Sequence, residues 1–165
     1  MIKVGDRLPE GGLQEFIDTE QPGCAVGPNK FEVGAIAKGK KIVIIGLPGA
    51  FTPTCSAKHV PGYVEHFGAL RGKGVDEIWC ISVNDAFVMG AWGRDQKAQG
   101  KVRMMADGAG AYTRALGMDR EIPGMGLRSQ RYSMLVEDGV VKSVNVEQGP
   151  KFEVSDAQTM LRSLG

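Results

Sequence analysis

Apolar and polar positions along the chain change period several times, and each change marks an element. Lys41–Leu47, KIVIIGL, is almost continuously apolar and β-branched, which predicts a central strand covered on both faces. Asp76–Asn84, DEIWCISVN, carries the same signature, and residues 102–106, VRMMA, make a shorter strand. Helical spacing alternates with these runs. Phe87, Val88, Ala91 and Trp92 outline a helix within Asp85–Ala98, and Ala111, Tyr112, Ala115 and Leu116 outline another. RYSMLVE and VVKSVNVE flank Asp138–Gly139, a dipeptide suited to a reversing turn, so an antiparallel hairpin is expected. Ser155 with Gln158 forms a capping box, and Ala157, Met160, Leu161 and Leu164 supply the apolar face of a last helix.

The first forty residues are patterned more weakly. Residues 1–11 read as an extended lead-in, 12–20 (GLQEFIDTE) as an outer strand, QPGCAVGPNK as an exposed loop holding Cys24, and Val33–Ala37 as a short helical turn ended by KGKK. In the second half, EIPGMGLRSQ reads as a glycine-punctuated loop that could position Arg128 and Arg131. Alternating strand and helix, closed by a hairpin and a helix, predicts an α/β fold with a central mixed sheet flanked by helices. The 165 residues fit a single domain spanning 1–165, with no internal repeat and no dividing linker.

Composition narrows the function classes. Twenty Lys and Arg against nineteen Asp and Glu leave a formal charge of +1, without a block of either sign, which argues against a nucleic-acid platform or a polybasic membrane anchor. No apolar run approaches a membrane span, and MIKVGDRLPE lacks the apolar centre of a secretory signal. A cytoplasmic location is therefore expected, or an organellar one if a targeting segment has been removed. Cys24, Cys55 and Cys80 are too far apart for a CxxC redox pair or zinc knuckle, and three is an odd count. At least one thiol per chain is left unpaired.

Cys55 draws attention because three local features meet there. It follows a central strand, Thr52 and Pro53 resemble an N-cap and first helical residue, and Cys55 itself would occupy the third helical position. A thiolate there faces unpaired backbone donors and the positive end of the helix. Two readings follow from this local pattern: a reactive thiol, or a small residue filling a strand–helix corner. The same helix should run toward Leu70 with a bend at Pro61–Gly62.

Pro48-Gly49-Ala50-Phe51-Thr52-Pro53-Thr54-Cys55-Ser56, followed by His59 and Pro61-Gly62, resembles the active-site segment of peroxiredoxins, in the type II or peroxiredoxin-5-like branch. The resemblance continues through DEIWCISVNDAFVMGAWG, MADGAGAYTRALG and RSQRYSMLVEDGVV, from about residue 41 onward, and is looser before it. It implies a thioredoxin-like fold and a thiol-dependent peroxidase acting on hydrogen peroxide and small alkyl hydroperoxides, with no metal, flavin or haem. By resemblance, Cys55 matches the peroxidatic cysteine, Thr52 the hydroxyl that orients peroxide and thiolate, Pro48 the residue that shields the pocket, and Arg131 the arginine that activates the thiolate.

It also implies a homodimer, and a sulfenic acid intermediate reduced by a second thiol. The branch that forms an internal disulfide has its second cysteine late in the chain. Here that region reads EQGPKFEVSDAQT, which favours an external donor such as glutaredoxin with glutathione, or thioredoxin. Cys80, within IWCISV, is open to two readings, core packing or resolution of the sulfenic acid. Cys24 is an incidental loop thiol, a glutathionylation site or a disulfide partner. His59, one helical turn beyond Cys55, reads as a hydrogen-bonded pocket histidine rather than a general base, and His66 as peripheral.

Rival readings have less behind them. A zinc site built from Cys55, His59 and Cys80 lacks a fourth ligand. A cysteine hydrolase lacks an organised base, and GLPGAF lacks the GxGxxG dinucleotide pattern. The alternative of a different class is a non-enzymatic thioredoxin-like redox sensor or interaction module, separated from the enzyme by whether the purified chain consumes peroxide through Cys55.

Overall fold

The computed structural model describes all residues 1–165. Its frame is a seven-stranded mixed sheet. In chain order the strands are β1 (Gly12–Ile17), β2 (Gly27–Glu32), β3 (Lys41–Gly46), β4 (Glu77–Ser82), β5 (Arg103–Ala106), β8 (Tyr132–Glu137) and β9 (Val140–Val146), with β6 (Asp119–Ile122) and β7 (Gly126–Ser129) forming a separate hairpin. The order across the sheet is β2-β1-β5-β4-β3-β8-β9. β3, β4 and β5 run parallel, and β8 lies antiparallel to β3.

The helices are α1 (Val33–Ala37), α2 (Val60–Glu65), α3 (Phe67–Gly72), α4 (Ala86–Asp95), α5 (Ala111–Leu116) and α6 (Ala157–Ser163). The two-residue period of the strands sorts the apolar side chains into two cores. Val43, Ile45, Ile78 and Cys80 pack on one face with Tyr63, Leu70, Met89, Trp92 and Met160. Ile42, Ile44, Trp79 and Ile81 pack on the other with Val33, Tyr112, Leu116 and Tyr132. β3 is buried along nearly its whole length, which is why its run lacks polar alternation. This is the thioredoxin-like α/β architecture.

Several expectations need correction. The segment 12–20 is not the outer strand: β1 is flanked by β5 and β2, and β2 takes the edge. The exposed loop around Cys24 is correspondingly shorter. The polar run GPNKFE suits an edge with one face toward solvent, and it hid the strand from a search for apolar periodicity. Likewise EIPGMGLRSQ is a loop only at its tip, because Asp119–Ile122 and Gly126–Ser129 pair with each other. On α4 the buried stripe is Ala86, Met89, Trp92 and Gly93, while Phe87 stands 66% exposed.

The last helix begins one residue later than its capping box suggested. Asp156 is the N-cap and accepts from the Thr159 amide, whereas Ser155 is buried and bonded elsewhere. The predicted bend also moves. Pro61 and Gly62 lie inside α2, and the irregularity lies before them as a π-turn over Cys55–His59, in which the Val60 amide reaches back to the Cys55 carbonyl. Proline lacks the amide that would close the preceding α-turn and its ring crowds that turn's carbonyl, so the helix widens upstream of it. A second break falls at His66, between α2 and α3. The Asp138–Gly139 turn does close β8 onto β9, with positive φ at both residues as the tight hairpin requires.

Candidate active site

The site lies where the carboxyl end of β3 meets the helix that follows it. Helical structure begins at Pro53, so Cys55 is the third helical residue. Its sulfur is fully buried. Arg131, immediately before β8, reaches it from the neighbouring strand: Nη2 donates to the Cys55 Sγ at 3.1 Å. Their meeting follows from the sheet, because β8 pairs with β3 and Gly46 lies opposite Tyr132. A Cβ at Gly46 would fall 2.0 Å from the Tyr132 ring. Glycine there leaves room for the ring against β3, beside the arginine that reaches the helix start.

The second guanidinium nitrogen of Arg131 donates to His59 Nδ1 at 2.9 Å. Arginine can only donate, so Nδ1 accepts and Nε2 carries the proton, which goes to the Ser155 carbonyl at 3.1 Å. Burial, and then the neighbouring Arg131 charge, lower the His59 pKa to about 3. The imidazole is neutral near neutral pH and both of its nitrogens are engaged. His59 therefore has neither a free lone pair to act as a base nor a free nitrogen for a metal, and no cluster of three or more metal-ligating side chains forms in the structure. Tyr63 Oη donates to the same Ser155 carbonyl at 2.8 Å. Phe152 covers this group, its ring 5.1 Å from that of His59 and 5.9 Å from the Arg131 guanidinium carbon.

Thr52 Oγ1 donates to the Gly49 carbonyl at 2.7 Å, which leaves its oxygen lone pairs to accept from a bound molecule. Pro48 lies half-buried on the loop between β3 and the helix. That loop is tied down at several points. Arg128, on β7, donates to the Pro48 and Val83 carbonyls, each at 3.4 Å, and its guanidinium lies where a Cβ on Gly49 would be. Asn84 Oδ1 accepts from the Ala50 amide. Ser56 Oγ accepts from Trp92 Nε1.

Cys80 belongs to the same apolar core as Cys55 and is equally buried on β4. Burial, and secondarily the nearby Cys55, push its thiol well above the usual range. Cys24 is half-buried in the connection between β1 and β2, bridged to Gln21 across a turn. It lines a cleft of about 480 Å³ that contains none of Thr52, Cys55 and Arg131. His66 bonds within its own helix to the Gly62 carbonyl. The structure thus brings together Thr52, Cys55, His59 and Arg131 at one helix start and leaves Cys24 and His66 outside.

Phe152, Tyr63 and Glu147 were not singled out from the sequence, and Ser155 only as a helix cap. The contacts of Tyr63 and Glu147 run mainly through backbone groups, which no residue-type motif marks. Chemically, the arrangement can hold a sulfur anion beside a fixed guanidinium, away from bulk water.

A family model described as Redoxin matches residues 3–161. Peroxiredoxin-2B of Arabidopsis thaliana is 46% identical over 165 residues, covering 99% of this chain and 98% of that protein. A crystal structure of reduced Prx3 from Vibrio vulnificus in complex with hydrogen peroxide superposes with a TM-score of 0.93 at 44% identity, covering all of both chains. A Burkholderia cenocepacia crystal structure provisionally described as a thioredoxin reductase superposes at 0.99 with 60% identity, covering 100% of this chain and 99% of that one. Neither a CxxC pair nor a GxGxxG segment occurs in the present chain.

Proposed function

Because this chain belongs to the peroxiredoxin family, in its type II, peroxiredoxin-5-like branch, and is a thiol peroxidase that reduces peroxides through a cysteine, we propose that Cys55 is that cysteine. The observation that carries this is the 3.1 Å contact between Arg131 Nη2 and the Cys55 sulfur at the start of a helix. The thiolate attacks one peroxide oxygen, and an S–O bond forms as the O–O bond breaks. The electron pair of that bond leaves with the second oxygen, which takes a proton and departs as water or an alcohol. Negative charge spreads from sulfur toward the departing oxygen, and a guanidinium already in place stabilises it without reorganising. Thr52 accepts from the peroxide O–H, and Pro48 shields the sulfur from bulk water.

The sulfenic acid on Cys55 is attacked by an external thiol, which expels the sulfenic oxygen as water and leaves a mixed disulfide. A second thiol then frees Cys55. Glutaredoxin with glutathione suits a single active cysteine, since it removes a mixed disulfide without an internal partner; thioredoxin is the other donor of this class. The deep burial of Cys80 supports packing over resolution, because a thiol closed to solvent must be uncovered before it can exchange. Hydrogen peroxide and small alkyl hydroperoxides are the substrates.

We assign the protein to a compartment that keeps thiols reduced, the cytoplasm or an organelle interior, in keeping with its three unpaired cysteines. A homodimer is proposed through the loop before the Cys55 helix and the start of α4, where Phe51 and Phe87 stand 55% and 66% exposed. Phe51 sits against Trp92 at 6.4 Å and Phe87 against Phe16 at 6.0 Å, which makes the surface aromatic and firm. The test is to oxidise wild type, Cys24→Ser, Cys80→Ser and the double variant with one equivalent of peroxide, and to map sulfur states by mass spectrometry. Recycling with each donor system is then assayed. A double variant that recycles normally supports the one-cysteine route; a quantitative Cys55–Cys80 bond whose loss stops turnover overturns it. Sedimentation of the reduced protein over a concentration series decides the dimer.

A further inference from the structure

Glu147 lies far along the chain from every residue assigned to the chemistry, yet its carboxylate is the most heavily used polar group in the molecule. It directly follows β9, is 7% exposed, and accepts from the amides of Glu153, Val154 and Ser155 and from Ser155 Oγ, at 2.7 to 3.0 Å. Burial works against its charge, but these donors outweigh it and hold the carboxyl below the usual range. Five hydrogen bonds from four groups curl residues 148–155 around one side chain, with Gly149 supplying a left-handed turn.

Two consequences of that curl reach the sulfur. It presents the Ser155 carbonyl to His59 Nε2 and Tyr63 Oη, and it lays the Phe152 ring over both His59 and the Arg131 guanidinium. His59 has no other hydrogen bond than those to Ser155 and Arg131. Its ring orientation, and with it the acceptor presented to Arg131, rests on a carbonyl that the Glu147 carboxylate holds in place. The backbone closes the same circuit, since the Glu147 amide donates to the Arg131 carbonyl at 2.9 Å.

We propose that Glu147 is a positioning residue for peroxide reduction: by folding residues 148–155 into a strap, it sets the His59 imidazole that aims Arg131 at the Cys55 sulfur. The inference rests on the assignment of Cys55 as the attacking thiol. It adds a residue that never touches substrate, together with a chain of contacts from Glu147 through Ser155 and His59 to Arg131. Four of the five bonds end on Oε2; glutamine at 147 removes the charge from that acceptor and turns its NH2 group against the Glu153 amide, which weakens the strap without changing its size.

The experiment uses full-length Glu147→Gln, His59→Leu, the double variant and Cys55→Ser. Folding is followed by circular dichroism, the thiolate fraction of Cys55 at neutral pH by ultraviolet absorbance, and peroxide reduction by stopped flow under single turnover. In a folded Glu147→Gln, the second-order rate constant is expected to fall about tenfold and the thiolate fraction to fall with it. A purely structural role would lower the folded fraction and leave the thiolate fraction of folded protein untouched. In the His59→Leu background the same substitution is expected to cost less than twofold, because the contact it acts through is gone. Should Glu147→Gln not fold, Ser155→Ala takes its place; it removes one of the five bonds and keeps the carbonyl, and a two- to threefold loss with the same change in thiolate fraction is expected. Wild-type rate and thiolate fraction in the folded variant, or full additivity with His59→Leu, would overturn the inference. Retained activity in Cys55→Ser would instead overturn the assignment on which it stands.

Discussion

Two cysteines lie in one apolar core, both fully closed to solvent, and their surroundings could hardly differ more in polarity. Cys55 opens a helix and receives an arginine N–H; Cys80 sits mid-strand on β4 with apolar side chains about it. Burial alone pushes a thiol toward its neutral form, and at Cys80 it does so strongly. Cys55 instead meets a helix start and a guanidinium. Solvent exposure, the usual sign of a reactive thiol, therefore does not separate these two. The strand-to-helix junction does, because it is where backbone donors are unspent and where β8 delivers Arg131.

The widest separation should come from deleting each sulfur. Cys55→Ser is expected to slow peroxide reduction by about a thousandfold or more, and Cys80→Ser to leave single-turnover rates within about twofold. Stopped-flow kinetics would break the contrast if the two variants behaved alike. Removing the charge that distinguishes the sites comes next. Arg131→Met should cost about a hundredfold in the second-order rate constant with the fold intact by circular dichroism, since one preorganised donor to developing charge is commonly worth that much. Thr52→Val keeps the shape but removes the lone pairs, and about a tenfold loss is expected with hydrogen peroxide.

A smaller effect is thermodynamic. His59 is held neutral, with a pKa of about 3 against 6.5 for the free side chain. The unfolded chain therefore binds a proton that the folded one refuses between those values. Stability contributed in this way is complete above about pH 6.5 and lost as pH falls toward 3, at about 1 kcal/mol per pH unit. Urea unfolding across that range should show the slope, and His59→Leu should flatten it. The least effect is expected from Cys80→Ala: about 1–2 kcal/mol of stability from the lost sulfur contacts, with peroxide reduction unchanged.

How much of this was legible in the sequence differs by region for physical reasons. β3, β4 and the β8–β9 hairpin were readable because they are buried or closed by a turn that demands positive φ, and both leave a mark in residue type. β2 and the β6–β7 hairpin were missed because their strands are polar or glycine-flanked and half in solvent. Phe87 was assigned to the buried side of its helix on spacing alone, although Met89 fills that place. At the site, Thr52, Cys55 and Arg131 were legible through the long resemblance. The Glu147 strap was not, since its partners are mainly amides, which every residue possesses. Ser155 illustrates the point. A capping-box pattern marked it as a helix start, while the fold uses its hydroxyl on Glu147 and its carbonyl on His59 and Tyr63.

The complete enclosure of the Cys55 sulfur also sets up a race. On the proposed external-thiol route, a peroxide needs only a path wide enough for a small molecule, whereas a reductant's thiol has to meet the sulfur in the open. On that route the first helical turn would have to peel back between oxidation and rescue, and the π-turn over Cys55–His59 departs from regular α-helical bonding there. The lifetime of the sulfenic acid is then governed by how often that turn opens. During that interval a second peroxide can arrive and drive the sulfur to sulfinic acid. Tolerance of high peroxide is in this way a property of local helix stability, and substitutions that tighten the turn would shorten the working life of the enzyme while leaving its first encounter with peroxide as fast as before.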